Sequence, residues 1–173
     1  VGAVMFRELL RTGTQRSSCN IFFIDEETDR VIHYNARLNA KKFGVSWTST
    51  RASDLLEFDE EVEADIPVRT KLSECEPPLI DYWQSKKSGA FTRNFTREQT
   101  NQFFSERLGG SITPAFAEFF GGEHHQFGLP FSFGIINLSQ RRPIEEEDQD
   151  LLRQFGDALS LGFRRYLDFQ RLE

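Results

Sequence analysis

The chain has 173 residues, 38% of them apolar and 18 of them Phe, which suits one folded domain with an aromatic core and excludes a disordered chain. Its 21 basic and 27 acidic residues give a net charge of −6, without the basic excess or stripe through which nucleic-acid binders neutralise phosphates. Two cysteines, Cys19 and Cys75, make no disulfide framework, and no window approaches the ~18 consecutive apolar residues of a membrane span. The expected setting is therefore a reducing, cytoplasmic one, with no membrane insertion of this segment.

The chain opens Val1-Gly2-Ala3-Val4-Met5, without a signal-peptide charge pattern or an initiator Met, as expected of a segment from a longer polypeptide. Residues 4–12 place Phe6, Leu9 and Leu10 at helical spacing and predict a short amphipathic helix ending near Gly13. Residues 19–25 (CNIFFID) and 30–35 (RVIHYN) flank a polar turn and read as an antiparallel hairpin. Cys19 reads as a small core residue, whereas Cys75, in the charged Ser73–Glu76 stretch, is expected at the surface. Within 36–61, Val45 and Trp47 alternate with polar residues, and 48–53 is loop-like. The acidic run from Glu57 to Asp65 lacks the glycine of a calcium loop and reads as a solvated face. From about residue 62, VEADIPVRTKL predicts a third strand, which Pro67 confines to an edge or a bulge.

Pro77-Pro78 starts a predicted helix with Leu79, Ile80 and Trp83 on one face and Gly89 at its end. Residues 90–95 alternate as a strand. Thr96-Arg97-Glu98-Gln99 is a capping box, opening a helix whose apolar face is Phe103, Phe104 and Leu108 and which Gly109-Gly110 stops. A short helix is expected within 112–122. Residues 123–139 then read as two strands with a tight connection near Pro130. Residues 145–173 predict one long helix. Leu152, Phe155, Leu159, Tyr166 and Phe169 recur at spacings of three and four, and Leu151, Phe163 and Leu167 widen the stripe. Glu145 to Asp148 suit the positive end of its dipole, and Arg164, Arg165 and Arg171 the negative end. At full length it spans roughly 43 Å, so its distal turns are expected to project.

The run Leu129-Pro130-Phe131-Ser132-Phe133-Gly134-Ile135-Ile136-Asn137-Leu138, followed by Arg142-Pro143-Ile144-Glu145-Glu146-Glu147-Asp148, resembles the last two strands, the turn and the start of the final helix of a GAF domain. Phe155 and the tail from Tyr166 to Glu173 are similar to the exit helix of GAF domains that precede kinase or cyclase modules in bacterial signalling proteins. The resemblance implies an α+β fold in α/β/α layers. A central antiparallel sheet of five or six strands would carry the N- and C-terminal helices on one face, with shorter helices and loops on the other. It implies one sensory domain over 1–173, with 145–173 leading to an output domain such as a histidine kinase of a two-component system. It also implies a homodimer through Leu152, Phe155, Leu159, Tyr166 and Phe169. A small-molecule site would lie between the sheet and the covering helices, drawing on Trp83, Phe91, His124, Phe127 and Phe133. The competing reading makes those rings ordinary core and the domain a ligand-free dimerisation module.

The subtype motifs do not match. Asn39-Ala40-Lys41-Lys42-Phe43 is not followed by the Asp-Glu of cyclic-nucleotide-binding members, and neither Cys75 nor His124 stands in a bilin-attachment context. No Gly-Xaa-Ser-Xaa-Gly, His-Glu-Xaa-Xaa-His or phosphate loop is present, so the chain is not expected to be an enzyme by itself and requires no cofactor. His124 and His125, adjacent on a strand, point to opposite faces and do not chelate one metal from one side. His33 is expected at the surface or in a satisfied position. Gly109-Gly110 and Gly121-Gly122 read as turn glycines.

Overall fold

The computed structural model describes residues 2–12, 16–43, 55–57, 60–75, 83, 89–107 and 113–171. Helix α1 (Gly2–Thr12) leads into strands β1 (Arg16–Asp25) and β2 (Arg30–Leu38), then β3 (Leu55–Glu57), β4 (Val62–Asp65), β5 (Val68–Thr70) and β6 (Phe91–Phe95). Helices α2 (Arg97–Arg107) and α3 (Pro114–Phe120), strands β7 (His124–Phe131) and β8 (Gly134–Gln140) and helix α4 (Glu146–Gln170) follow among the described residues. The fold is α+β.

All strands join one antiparallel sheet in the order β3-β4-β2-β1-β8-β7-β6, with β5 also paired to β2. The first and last strands in sequence are thus neighbours at its centre. Among the described residues the eight segments exceed the expected five or six strands for two reasons. β3 is a three-residue addition at one edge, and β4 and β5 are halves of the single strand predicted from residue 62. Ala36 pairs with Ala64 and His33 with Val68, so Tyr34 and Asn35 face three residues, Asp65, Ile66 and Pro67. The extra residue is a bulge, placed where proline has no N–H to offer the ladder. Pro130 lies inside β7, at a level past the end of β6, and the tight turn falls at Ser132-Phe133.

The hairpin turn places Asp29 in the left-handed region, φ 52. Asp29 also accepts hydrogen bonds from the Ser73 N–H (2.9 Å) and Oγ (2.7 Å), tying the start of β2 to the turn Leu72–Glu74. The Thr96 box forms in both directions: the Gln99 side chain accepts from the Thr96 N–H (2.9 Å) and Thr96 Oγ1 from the Gln99 N–H (3.3 Å). Thr113 caps α3 through the Phe116 N–H at 3.2 Å.

Alternation divides the sheet into two faces. One face carries α1 and α4 and holds the main core. Phe6 and Leu9 of α1, Ile21 of β1, Ala36 of β2, Val62 of β4, Ile136 and Leu138 of β8 and Leu152 of α4 are all 0% exposed there. Each large side chain so buried contributes roughly 1.5–3 kcal/mol. The other face carries a smaller cluster of Ile24, Val31, Ile135 and Trp83. The helix predicted from Pro77 lies outside the described residues except Trp83, which is helical and buried; Gly89, its predicted stop, has φ 68.

Helix α4 is continuous over 25 residues, about 37 Å. Phe155, Leu159 and Phe163 pack on the main core, and the Phe163 ring lies 4.6 Å from Phe23 and 5.0 Å from Phe133. Farther along, Leu161, Tyr166 and Phe169 are 55%, 54% and 70% exposed. The end of α4 therefore presents apolar side chains to solvent, as its length predicts.

Candidate functional site

The face opposite α1 and α4 is apolar at its ends, with Ile24, Val31, Ile135 and Trp83 at one and Phe104 and Phe116 at the other. Across its middle, two rows of side chains run from strand to strand. Asn35, Asn20, Asn137, Gly128 and Phe91 occupy matching positions on β2, β1, β8, β7 and β6. Two residues along, Arg37, Ser18, Ser139, Gln126 and Arg93 do the same. With strands ~4.8 Å apart and a rise of ~3.4 Å per residue, the rows form a band about 19 Å long and 7 Å wide. Its centre, Ser18, Asn20, Asn137 and Ser139, lies on the two innermost strands, where apolar side chains are the rule. Ser18, Asn20 and Ser139 are nonetheless half-buried.

Asn137 is 8% exposed, and among the described residues no donor reaches its buried Oδ1. Gly128 makes its placement possible. A Cβ there would lie 2.1 Å from Phe91 Cε1 and 2.6 Å from Asn137 Oδ1, so the ring and the amide share the space above bare backbone. Asn20 Oδ1 bonds His33 Nε2 at 2.7 Å, and the His33 ring stacks on Phe22 at 4.1 Å. At one end of the band Arg37 meets Glu63 at 2.8 Å, both largely buried. Glu63 thus departs from the solvated face expected for the acidic run: it neutralises a guanidinium inside the fold. At the other end the Arg93 guanidinium lies 5.4 Å from the Phe91 ring centre.

The predicted ligand residues separate. Trp83 and Phe91 line one apolar end of this face. His124 flanks its other end, with Phe104 at 6.0 Å and Phe116 packed on Phe104. Burial, followed by the nearby Arg141 and His125, pushes the His124 pKa down to about 4, so the ring is neutral. Phe127 and Phe133 are corrections, because both pack into the main core on the opposite face. In β7 the face alternates, which sends Phe127 under α4, and Phe133 is drawn there by Phe163. His125 points away from His124 and bonds Asn94 at 2.9 Å. Of the helix residues, Leu152 is sealed inside the core, Phe155 and Leu159 are half-buried against it, and Tyr166 and Phe169 are exposed. Leu108 and Leu172 lie outside the described residues.

The band itself escaped the sequence reading, although a signal existed. Asn20 and Asn137 each interrupt the two most apolar runs of the chain, CNIFFID and GIINL.

Behind the band lies an ionic node. A bulge at Ser17 turns Arg16 to the helix face while Ser18 faces the band. Arg16 is 3% exposed and Asp148 1%, with Nη2 and Oδ1 3.0 Å apart. Arg142 Nη2 also reaches Oδ1 (2.6 Å), while Gln140 Nε2 (3.0 Å) and the Glu145 N–H (3.1 Å) reach Oδ2. The same Arg16 donates to the Leu9 carbonyl and to Thr12 Oγ1 at the end of α1. One carboxylate thus joins α1, β1, β8 and α4. Burial is the largest single influence on Asp148 and raises its pKa, but the Glu145 amide, Arg16, Gln140 and Arg142 together outweigh it and hold the pKa below the usual Asp value.

Burial raises the Cys19 thiol to about 12, which leaves it unreactive. Cys75 is half-buried, more enclosed than its charged neighbours suggested, and its Sγ lies 3.3 Å from the Lys71 carbonyl. Among the described residues, no group of three His, Cys, Asp or Glu is placed to hold a metal ion, and no helix is long and apolar enough to cross a membrane. No protein-family model, curated protein or solved structure matches the chain.

Proposed function

We propose that the chain is a sensory input domain of the GAF type, cytoplasmic and without catalysis of its own, which binds a small molecule on the polar band. The observation that carries this reading is the half-buried band at the centre of the sheet. Polar groups on inner strands cost stability and contribute nothing to a core, and such costs concentrate where function requires them.

The same strands supply the transmission. Asn137 and Ser139 face the band, while the alternating Leu138 and Gln140 face α4, and Gln140 bonds Asp148 directly. A ligand that favours one position of β8 biases the base of α4, because it acts through its differential affinity for two arrangements. Helix α4 carries the bias towards an output module in the same polypeptide, a histidine kinase or a cyclase. The exposed Tyr166 and Phe169 supply a contact for a second copy, and this also favours the alternative of a dimerisation module that binds nothing.

Two measurements separate these readings. Thermal shift against nucleotides, haem and metabolites is expected to show a rise that Ser139→Val abolishes. Light scattering over a concentration series is expected to show dimers that Phe169→Asp removes. Dimers with no thermal shift leave the interaction module standing, and a strict monomer with no shift sinks both.

A further inference from the structure

We infer that the ligand of the polar band is a small, uncharged molecule carrying hydrogen-bond donors as well as acceptors, such as a polyol or a cyclic amide. This rests on the band being a ligand site at all, and it names the chemistry of that site.

The charges of the band lie at its two ends, outside its centre. Arg37 is neutralised by Glu63, and Arg93 lies beside the Phe91 ring on the edge strand. The centre, Ser18, Asn20, Asn137 and Ser139, holds hydroxyls and carboxamides and no ionised group. Among the described residues a charged ligand seated there gives up water without gaining a counter-ion, which is costly on a half-buried surface. An apolar ligand buries the same hydroxyls and amides without partners, which is also unfavourable. Hydroxyls and amides both donate and accept, so one neutral molecule satisfies all four positions. The stacked Phe22–His33 pair borders the centre on the apolar side, so the site grades from hydroxyls and amides to carbon surface.

The test is equilibrium dialysis of the chain against a defined metabolite mixture, read by mass spectrometry. The neutral arm holds monosaccharides, polyols, nucleosides and lactams. The charged arm holds nucleotides, di- and tricarboxylates and polyamines. Several-fold enrichment of a neutral compound is expected, lost in both Asn137→Leu and Ser139→Val. Those variants should melt about 2–4 °C higher, because they remove polar groups kept for binding rather than for stability. Enrichment of charged compounds alone overturns the inference and leaves a ligand site in place. Neutral enrichment that survives Asn137→Leu overturns the assignment to the band. No enrichment in either arm, with both variants less stable than the parent, overturns the inference and the sensing reading together, because the band is then structural.

Discussion

Replacing Asp148 with Ala tests whether the ionic node holds α4 to the sheet. The substitution removes the acceptor for four donors and leaves the Arg16 guanidinium, 3% exposed, without a counter-charge. Arg142 is 29% exposed and turns out to water, but Arg16 is pinned by Leu9 and Thr12 and has no such escape. Breaking a buried pair from one side costs about 3–5 kcal/mol. Loss of the bond to the Glu145 N–H at the start of α4 adds up to about 1 kcal/mol. For a domain of this size the buried-pair term alone lowers Tm by roughly 6–20 °C. Urea unfolding at pH 7 of Asp148→Ala, Arg16→Met and the double variant gives the cycle. The double variant is expected to recover much of the loss, because most of the cost of the single variant is the stranded charge. A loss under about 1 kcal/mol for Asp148→Ala, or a double variant no more stable than the single ones, refutes the reasoning.

Further predictions concern pH and shape. The folded pKa of Asp148 lies below its unfolded value of 3.8, so its contribution is complete above that pH and is lost as pH falls through the lower folded value. His124 acts earlier: with an unfolded value of 6.5 and a folded value of about 4, stability should drop by about 2 kcal/mol between pH 7 and pH 5. His124→Phe should flatten that slope in chemical denaturation, and an unchanged slope would count against a neutral buried ring. Gly134→Ala places a Cβ 1.7 Å from the Phe22 carbonyl oxygen, which is backbone and yields little, so a loss of about 3 kcal/mol or failure to fold is expected. Gly162→Ala, with open space around it in α4, should instead gain up to about 1 kcal/mol, and thermal melts rank the two.

Local chemistry was readable from the sequence. The Thr96 box, the β1–β2 hairpin and the stripe of α4 depend on residues a few positions apart, and each formed as its spacing implies. Glu145, which offers no hydroxyl cap, starts α4 because Asp148 three residues on takes its N–H. Features set by distant pairing were not readable. Arg16 and Asp148 are 132 positions apart, and no pattern announces their meeting. The asparagines of the band align only because β1 pairs with β8, a register invisible in either strand alone. Phe127 was misplaced for a related reason, since an aromatic in a strand declares its face only once its neighbours are known. The segment 44–54, with Val45 and Trp47, lies outside the described residues.

The adjacency of β1 and β8 also shapes how the chain is made. During synthesis β1 emerges early and finds β2 at once, but its other edge stays open until residues 134–140 have left the ribosome. In that interval CNIFFID offers an apolar ladder to any passing strand, the condition under which nascent chains pair wrongly or recruit chaperones. A sheet closed by its most distant partners also folds slowly, since the loop between them must be ordered before their contacts repay it. Truncations that stop short of β8 should therefore give aggregates rather than a smaller domain.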